Sequence, residues 1–109
     1  MAYDEGLAQR VREGLSDQPD LVEKKMFGGV GFMAYGNMAC GVLNDSLIVR
    51  VGPANYQEAL SQPYTKEFDI TGRAMTGWVM VGPQGHETDS SLDFWLTLAM
   101  TLALSLPPK

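Results

Sequence analysis

The chain contains a single cysteine, Cys40, and a single histidine, His86. One cysteine cannot form an internal disulfide, and the two residues together cannot supply the ligands of a structural zinc site. A nucleophile and its base would have to come from this pair, or from a serine beside the histidine. Because Cys40 lies in an apolar segment and His86 in a turn, we predict no enzyme, no metal and no cofactor.

A membrane-spanning run and a secretion signal are also missing. The uncharged stretch at residues 94–108 is shorter than the roughly 20 apolar residues that cross a bilayer, and it includes hydroxyl side chains. Residues 1–5 lack the cationic start and apolar core of a signal peptide. Together with the lone thiol, this composition predicts a cytoplasmic protein without membrane partners.

Basic residues are few and scattered. Lysine and arginine total 8 against 13 acidic residues, which gives a formal net charge of −5. An acidic chain is repelled by the phosphate backbone that supplies most non-specific affinity for nucleic acid. Direct nucleic-acid binding is therefore predicted only as a weak alternative, on a basic surface that folding would have to assemble.

The length and composition are those of one globular domain. The chain has 109 residues, of which 45% are hydrophobic and 19% are charged. This is enough to bury a core without disulfides or a metal and too little for two ordinary domains. We therefore predict a single domain over residues 1–109.

Three segments have the pattern of helices. Residues 3–15 carry leucine and valine at four-residue spacing, which makes one apolar stripe. Residues 53–62 begin with a proline, which is favoured in the first turn of a helix. Residues 88–91 offer N-cap oxygens, and apolar residues then recur at helical spacing as far as Pro107, which predicts a terminal helix.

Five segments are predicted as strands, bounded by turn residues: 25–35, 38–43, 46–51, 66–70 and 77–81. Gly36-Asn37 and Asn44-Asp45 supply residues that tolerate positive φ in two-residue hairpin turns. The pattern favours an α+β fold of the two-layer α/β type. One layer is a five-stranded, mainly antiparallel sheet, and the helices form the other layer. Its order is helix, three strands, helix, two strands, helix. In the third strand the two-residue pleat places Ile48 and Arg50 on the face away from the main core.

The first predicted strand has glycine at Gly28, Gly29 and Gly31, although glycine weakens a strand. These glycines do not form a phosphate loop, because no Gly-Lys-Ser/Thr follows them and Ala34 occupies the last position of the Gly-x-Gly-x-x-Gly spacing. They indicate a bulge or the close approach of another backbone.

Several blocks of sequence, taken in order, form one signature: residues 25–32, 38–39, 41, 47–52, 56, 71–73, 75 and 77–79. This signature resembles the N-terminal domain of the TfoX/Sxy competence regulators. The resemblance implies a two-layer fold similar to secretion-chaperone-like domains, with the same order of helices and strands.

Regulators of this family act on the transcription of competence genes, and many carry a second, C-terminal helical domain. The chain stops at Lys109 without one, so the resemblance implies a stand-alone N-terminal domain. It further implies a non-enzymatic regulatory or protein-binding module, with the transcription machinery among its candidate partners and no catalytic residues.

The candidate ligand- or partner-binding residues belong to the signature blocks: Lys25, Phe27, Gly28, Gly29, Arg50, Arg73 and Trp78. Arginine forks suit carboxylate or phosphate groups, so one interpretation is a face that binds an anion or a peptide. A small-ligand domain or minor enzyme would need Lys25, Arg50 and Arg73 to converge on one pocket. The alternative is structural: the arginines pair with Asp69 or Glu67, and the aromatic residues fill the core.

The terminal helix carries Phe94 and Leu98 away from its main apolar stripe. One helix on the side of a two-layer domain does not bury apolar residues all round its circumference. We therefore predict a homodimer, with the terminal helix or an exposed sheet edge in the interface.

Overall fold

A computed structural model of the chain describes residues 3–18, 20–26, 28–69 and 75–107. The three helices are α1 (Glu5–Gly14), α2 (Tyr56–Leu60) and α3 (Asp89–Ser105). The strands are β1 (Leu21–Met26), β2 (Gly29–Ala34), β3 (Asn37–Leu43), β4 (Ser46–Arg50), β5 (Thr65–Glu67) and β6 (Trp78–Val81). Among the described residues, no helix combines the length and apolarity needed to cross a membrane.

The strands form one sheet in the order β1-β2-β3-β4-β6-β5, and every neighbouring pair is antiparallel. The α+β fold and the antiparallel sheet are confirmed, but the prediction of five strands is wrong. The segment at 25–35 contains the end of β1, a turn with Gly28 at a φ of 77°, and the whole of β2. β1 escaped recognition because Glu23, Lys24 and Lys25 give it no apolar alternation, as suits an exposed edge strand.

Two hairpin turns join β2, β3 and β4. The first lies at Tyr35-Gly36, one residue before the predicted Gly36-Asn37, with φ angles of 52° and 83°. Asn37 instead begins β3, where its buried amide donates a hydrogen bond to the Pro107 carbonyl at 2.9 Å. The second turn, Asn44-Asp45, is as predicted. Asn44 there has a φ of 54°, a conformation that asparagine tolerates.

Helices α1 and α3 begin where side chains satisfy their free N–H groups. Asp4 accepts a hydrogen bond from the Leu7 amide at 3.1 Å and so caps α1. Thr88 and Ser91 form a capping box at the start of α3. The helix predicted at 53–62 is shorter than expected, because Pro53–Asn55 forms a single 3-10 turn before α2.

All three helices pack on one face of the sheet, which we call the helix face. Phe32, Leu47, Val49, Val79 and Val81 point into this layer and are completely buried. At the edge, Arg12 of α1 bonds to Glu23 of β1, with Nη2 at 3.0 Å from Oε2. The Arg12 guanidinium lowers the pKa of Glu23 and ties the edge strand to the helix layer.

A β-bulge redirects one methionine. Phe32 pairs with Cys40, whereas Met33 pairs with Met38, so Ala39 is an extra residue in β3. Without the bulge, the two-residue pleat would place Met38 on the same face as Cys40. The bulge turns Met38 to the opposite face of the sheet, where its Cε lies beside Gly41.

Candidate functional site

The face of the sheet opposite the helices, which we call the open face, carries a continuous row of residues from all six strands. In strand order, the row is Lys24, Gly31, Gly41, Ile48, Met80 and Lys66. Residues directly opposite each other in antiparallel strands share a face, so the register alone places these side chains together. The predicted orientation of Ile48 and Arg50, away from the main core, is confirmed.

A groove with a volume of about 370 Å³ lies on this face. Strands β2 and β3 contribute Met33 and Met38, and strands β4 and β6 contribute Ile48, Arg50 and Trp78. The segment that follows β5 adds Phe68 and Met75. The groove is therefore mainly apolar, and Arg50 is the only charged residue among its described lining residues.

Glycines lie where the backbones of β2 and β3 approach each other too closely for a side chain. A Cβ atom added to Gly29 would overlap the carbonyl oxygen of Val42. One added to Gly41 would lie 2.8 Å from the Val30 carbonyl oxygen. Both glycines also line the groove, so the close approach predicted from the sequence is confirmed and leaves side-chain-free positions there.

Arg50 and Trp78 are directly opposite each other in β4 and β6, and both are half-buried. The Arg50 Cζ atom lies 5.3 Å from the centroid of the Trp78 ring, a distance typical of a cation–π contact. Phe68 packs against the same ring at a centroid distance of 6.3 Å. The guanidinium is thus held against an aromatic surface with its charge at the groove.

Within the described part of the chain, no carboxylate lies within 4.0 Å of the Arg50 side chain. The proposed structural partner Glu67 accepts a hydrogen bond from the Tyr56 hydroxyl at 3.3 Å instead. Because Glu67 pairs with Val79, it belongs to the helix face. The pleat therefore separates Glu67 from Arg50.

The structure brings together three of the predicted site residues, since Gly29, Arg50 and Trp78 line the same groove. Lys25 pairs with Val30, on the helix face, and does not converge with Arg50. Gly28 is exposed in the turn before β2. Phe27 and Arg73 lie outside the described residues.

The methionines of the groove and the two lysines of the open face were not among the predicted site residues. A methionine is more often a core residue than part of a binding surface, and no local pattern announces the bulge that decides the orientation of Met38. Lys24 could have been found by applying the two-residue pleat to the segment before Gly28, had that segment been predicted as a strand.

The lone cysteine and histidine are held in different surroundings. Cys40 is completely buried, and burial raises the pKa of its thiol from 9.0 to about 12, so it is protonated at neutral pH. The buried His86 ring has its Nε2 atom 3.0 Å from the Asp45 carbonyl oxygen. Over residues 3–18, 20–26, 28–69 and 75–107, no cluster of three potential metal ligands is formed.

Comparison with known proteins identifies the family. The model of the TfoX N-terminal domain matches residues 13–103, which include all six strands and every groove residue named above. Neither the comparison with curated proteins nor that with solved structures produced a match. The family match covers far more than half of the 109 residues, and the chain therefore belongs to the TfoX N-terminal domain family.

Proposed function

We propose that this chain is a non-enzymatic regulatory module that binds a segment of a partner protein in the groove of the open face. Its family suggests a competence-related regulatory module. The observation that carries the proposal is the groove itself, a mainly apolar cavity of about 370 Å³ with one half-buried arginine held on a tryptophan. The transcription machinery is the first place to look for the partner.

The signature residues support this surface. Gly29, Met38, Ile48, Arg50 and Trp78 come from four blocks of the signature, and all line one groove. Residues that only stabilised the fold would be expected on the buried helix face. Methionine side chains are flexible and polarizable, so they adapt to the apolar side chains of a protein partner.

The sheet edges are less suited to this role than the groove. β1 presents Glu23, Lys24 and Lys25, and charged side chains on an edge strand oppose pairing with another chain. The other edge strand, β5, is only three residues long. A short edge offers few backbone hydrogen bonds to an added strand.

The proposal is tested by capture from an extract of the source cells, with the immobilised protein and two variants. Met33→Asp places a charge in the groove itself, whereas Gln57→Asp places the same charge on the exposed surface of α2. We expect wild type and Gln57→Asp to retain one protein in stoichiometric amount. Met33→Asp should reduce its affinity about tenfold or more, which corresponds to ~1.4 kcal/mol.

A protein retained equally by all three forms would contradict the groove as the binding surface. Retention of no protein by the wild type would contradict the proposed function itself. Circular dichroism of both variants establishes that the compared proteins are folded.

We further propose that a second copy of the chain covers the outer face of α3. Phe94 and Leu104 are about half exposed, at 49% and 50%, while Leu98 packs partly against the core. The segment from Phe94 to Pro107 has no charged residue. The Thr101 and Ser105 hydroxyls donate to carbonyls of their own helix, so these two side chains keep only their acceptor capacity for water.

An uncharged face suits a second copy of a chain that carries a net charge of −5, since it brings no like charges together. Sedimentation at micromolar concentration should show a dimer for the wild type. Leu104→Glu should produce a monomer by placing two carboxylates in the interface. A wild-type protein that sediments only as a monomer would contradict this proposal.

A further inference from the structure

We infer that the partner segment bound by the groove is a helix that carries both acidic and apolar side chains, an inference that rests on the proposed function. The helix presents a carboxylate to Arg50 and apolar side chains to the methionines of the groove. The charge pattern of the sheet, the surroundings of Arg50 and the spacing of the cations along the open face support the acidic character and the length. The segment is helical because on the face of a sheet its backbone cannot pair with the strands, whereas a helix satisfies its own N–H and C=O groups.

The open face is cationic although the chain as a whole is acidic. Within the six strands, its charged residues are Lys24, Arg50 and Lys66, as the register shows. The two acidic strand residues, Glu23 and Glu67, pair with Phe32 and Val79 and so belong to the helix face. A partner that matches this charge pattern is negative where it meets the sheet.

Arg50 is the strongest anchor for such a group. Its guanidinium is half-buried in apolar surroundings, and Trp78 restricts its orientation. No described carboxylate lies within 4.0 Å of it. A planar guanidinium binds a carboxylate through two parallel hydrogen bonds, and desolvation by apolar neighbours strengthens that pair.

The two lysines set the length of the segment. Lys24 and Lys66 lie on opposite edge strands, separated by five strand spacings. At about 4.8 Å a spacing, they are ~24 Å apart across the sheet. A helix that rises 1.5 Å per residue covers this distance with about 16 residues. Arg50 lies between them, which places the main carboxylate near the middle of the helix.

The lining favours a protein segment over a nucleic acid. Single-stranded nucleic acids bind surfaces on which several aromatic side chains stack with successive bases. Among the described lining residues, the aromatic ones are the half-buried Trp78 and the buried Phe68, and apart from Arg50 the other large side chains are aliphatic or methionine. The net charge of −5 also opposes a polyanion.

The test uses two fluorescein-labelled peptides of about 16 residues, the length estimated above. Leucines lie at three- and four-residue spacing, and a central glutamate in one peptide is replaced by glutamine in its twin. Fluorescence anisotropy measures the Kd of each peptide for wild type, Arg50→Met, Arg50→Lys and Lys25→Met. Lys25→Met is the matched control, since it removes one positive charge from the helix face.

We expect the glutamate peptide to bind wild type and Lys25→Met at least about tenfold more tightly than its twin, as for a desolvated charge pair. The preference should disappear in Arg50→Met and shrink in Arg50→Lys, which keeps the charge but loses the fork. Because Arg50→Lys is the milder change, it keeps the test decisive if Arg50→Met does not fold.

Equal affinity for the two peptides, with binding abolished by Met33→Asp, would overturn the acidic partner while leaving the groove as a protein-binding site. Failure of both peptides to bind would also overturn the inference, and the capture experiment then decides the proposed function separately. Tighter binding of a 16-nucleotide oligo-dT than of the glutamate peptide would overturn the inference in favour of nucleic acid.

Discussion

Replacing Phe32 by alanine is expected to lower the free energy of unfolding by about 3–5 kcal/mol. The Phe32 side chain is completely buried on the helix face, among the largest of the core. Its removal leaves a cavity between the sheet and the helices that neighbouring side chains fill only partly. Urea denaturation followed by circular dichroism measures the change, at an unaltered m value.

Met33→Ala is the control for this experiment. Met33 is the next residue of β2, but it is half-buried and lines the groove on the open face. Its truncation should cost about 1 kcal/mol. Equal costs for the two substitutions would contradict the assignment of Phe32 to the core and Met33 to the groove.

Gly29→Ala is expected to cost about 3 kcal/mol or more, although it adds only one methyl group. The new Cβ would overlap the Val42 carbonyl oxygen, which belongs to the backbone of β3 and cannot rotate away. The strands would have to separate, with loss of ladder hydrogen bonds. Thermal and urea denaturation of the variant give the loss of stability.

Gly82→Ala is the matched control, since Gly82 follows β6 with a φ of −71°. The nearest atom to an added Cβ there is the Tyr64 carbonyl oxygen at 3.5 Å, an ordinary contact. Its effect on stability should stay below about 1 kcal/mol. If both alanines proved neutral, the two strands would not approach each other at Gly29 as closely as the structure shows.

The helices and the inner strands could be predicted because local patterns specify them. The four-residue stripe of α1, the N-cap at Thr88 and the turn at Asn44-Asp45 each act through neighbours in sequence. Strand β1 could not be predicted, because an edge strand buries little apolar surface and the run of charged residues in β1 matches no strand pattern. Its pairing with β2 is what makes it a strand.

The candidate site was also predictable only in part, because it too depends on strand pairing. Arg50, Trp78 and Gly29 were identified as candidates, but 28 positions in sequence separate the first two, and only the β4–β6 register places them opposite each other. Lys25 was expected with them and lies on the other face, because one step along a pleated strand reverses the side chain.

The sequence by itself determined the α+β class, the family and the outward orientation of Arg50, because these depend on composition, motifs and the two-residue pleat. Only the tertiary structure decided the sixth strand, the orientation of Met38 and the assembly of a cationic open face in an acidic chain. These depend on strand pairing and on a bulge, which arise from contacts between residues distant in sequence and leave no local pattern.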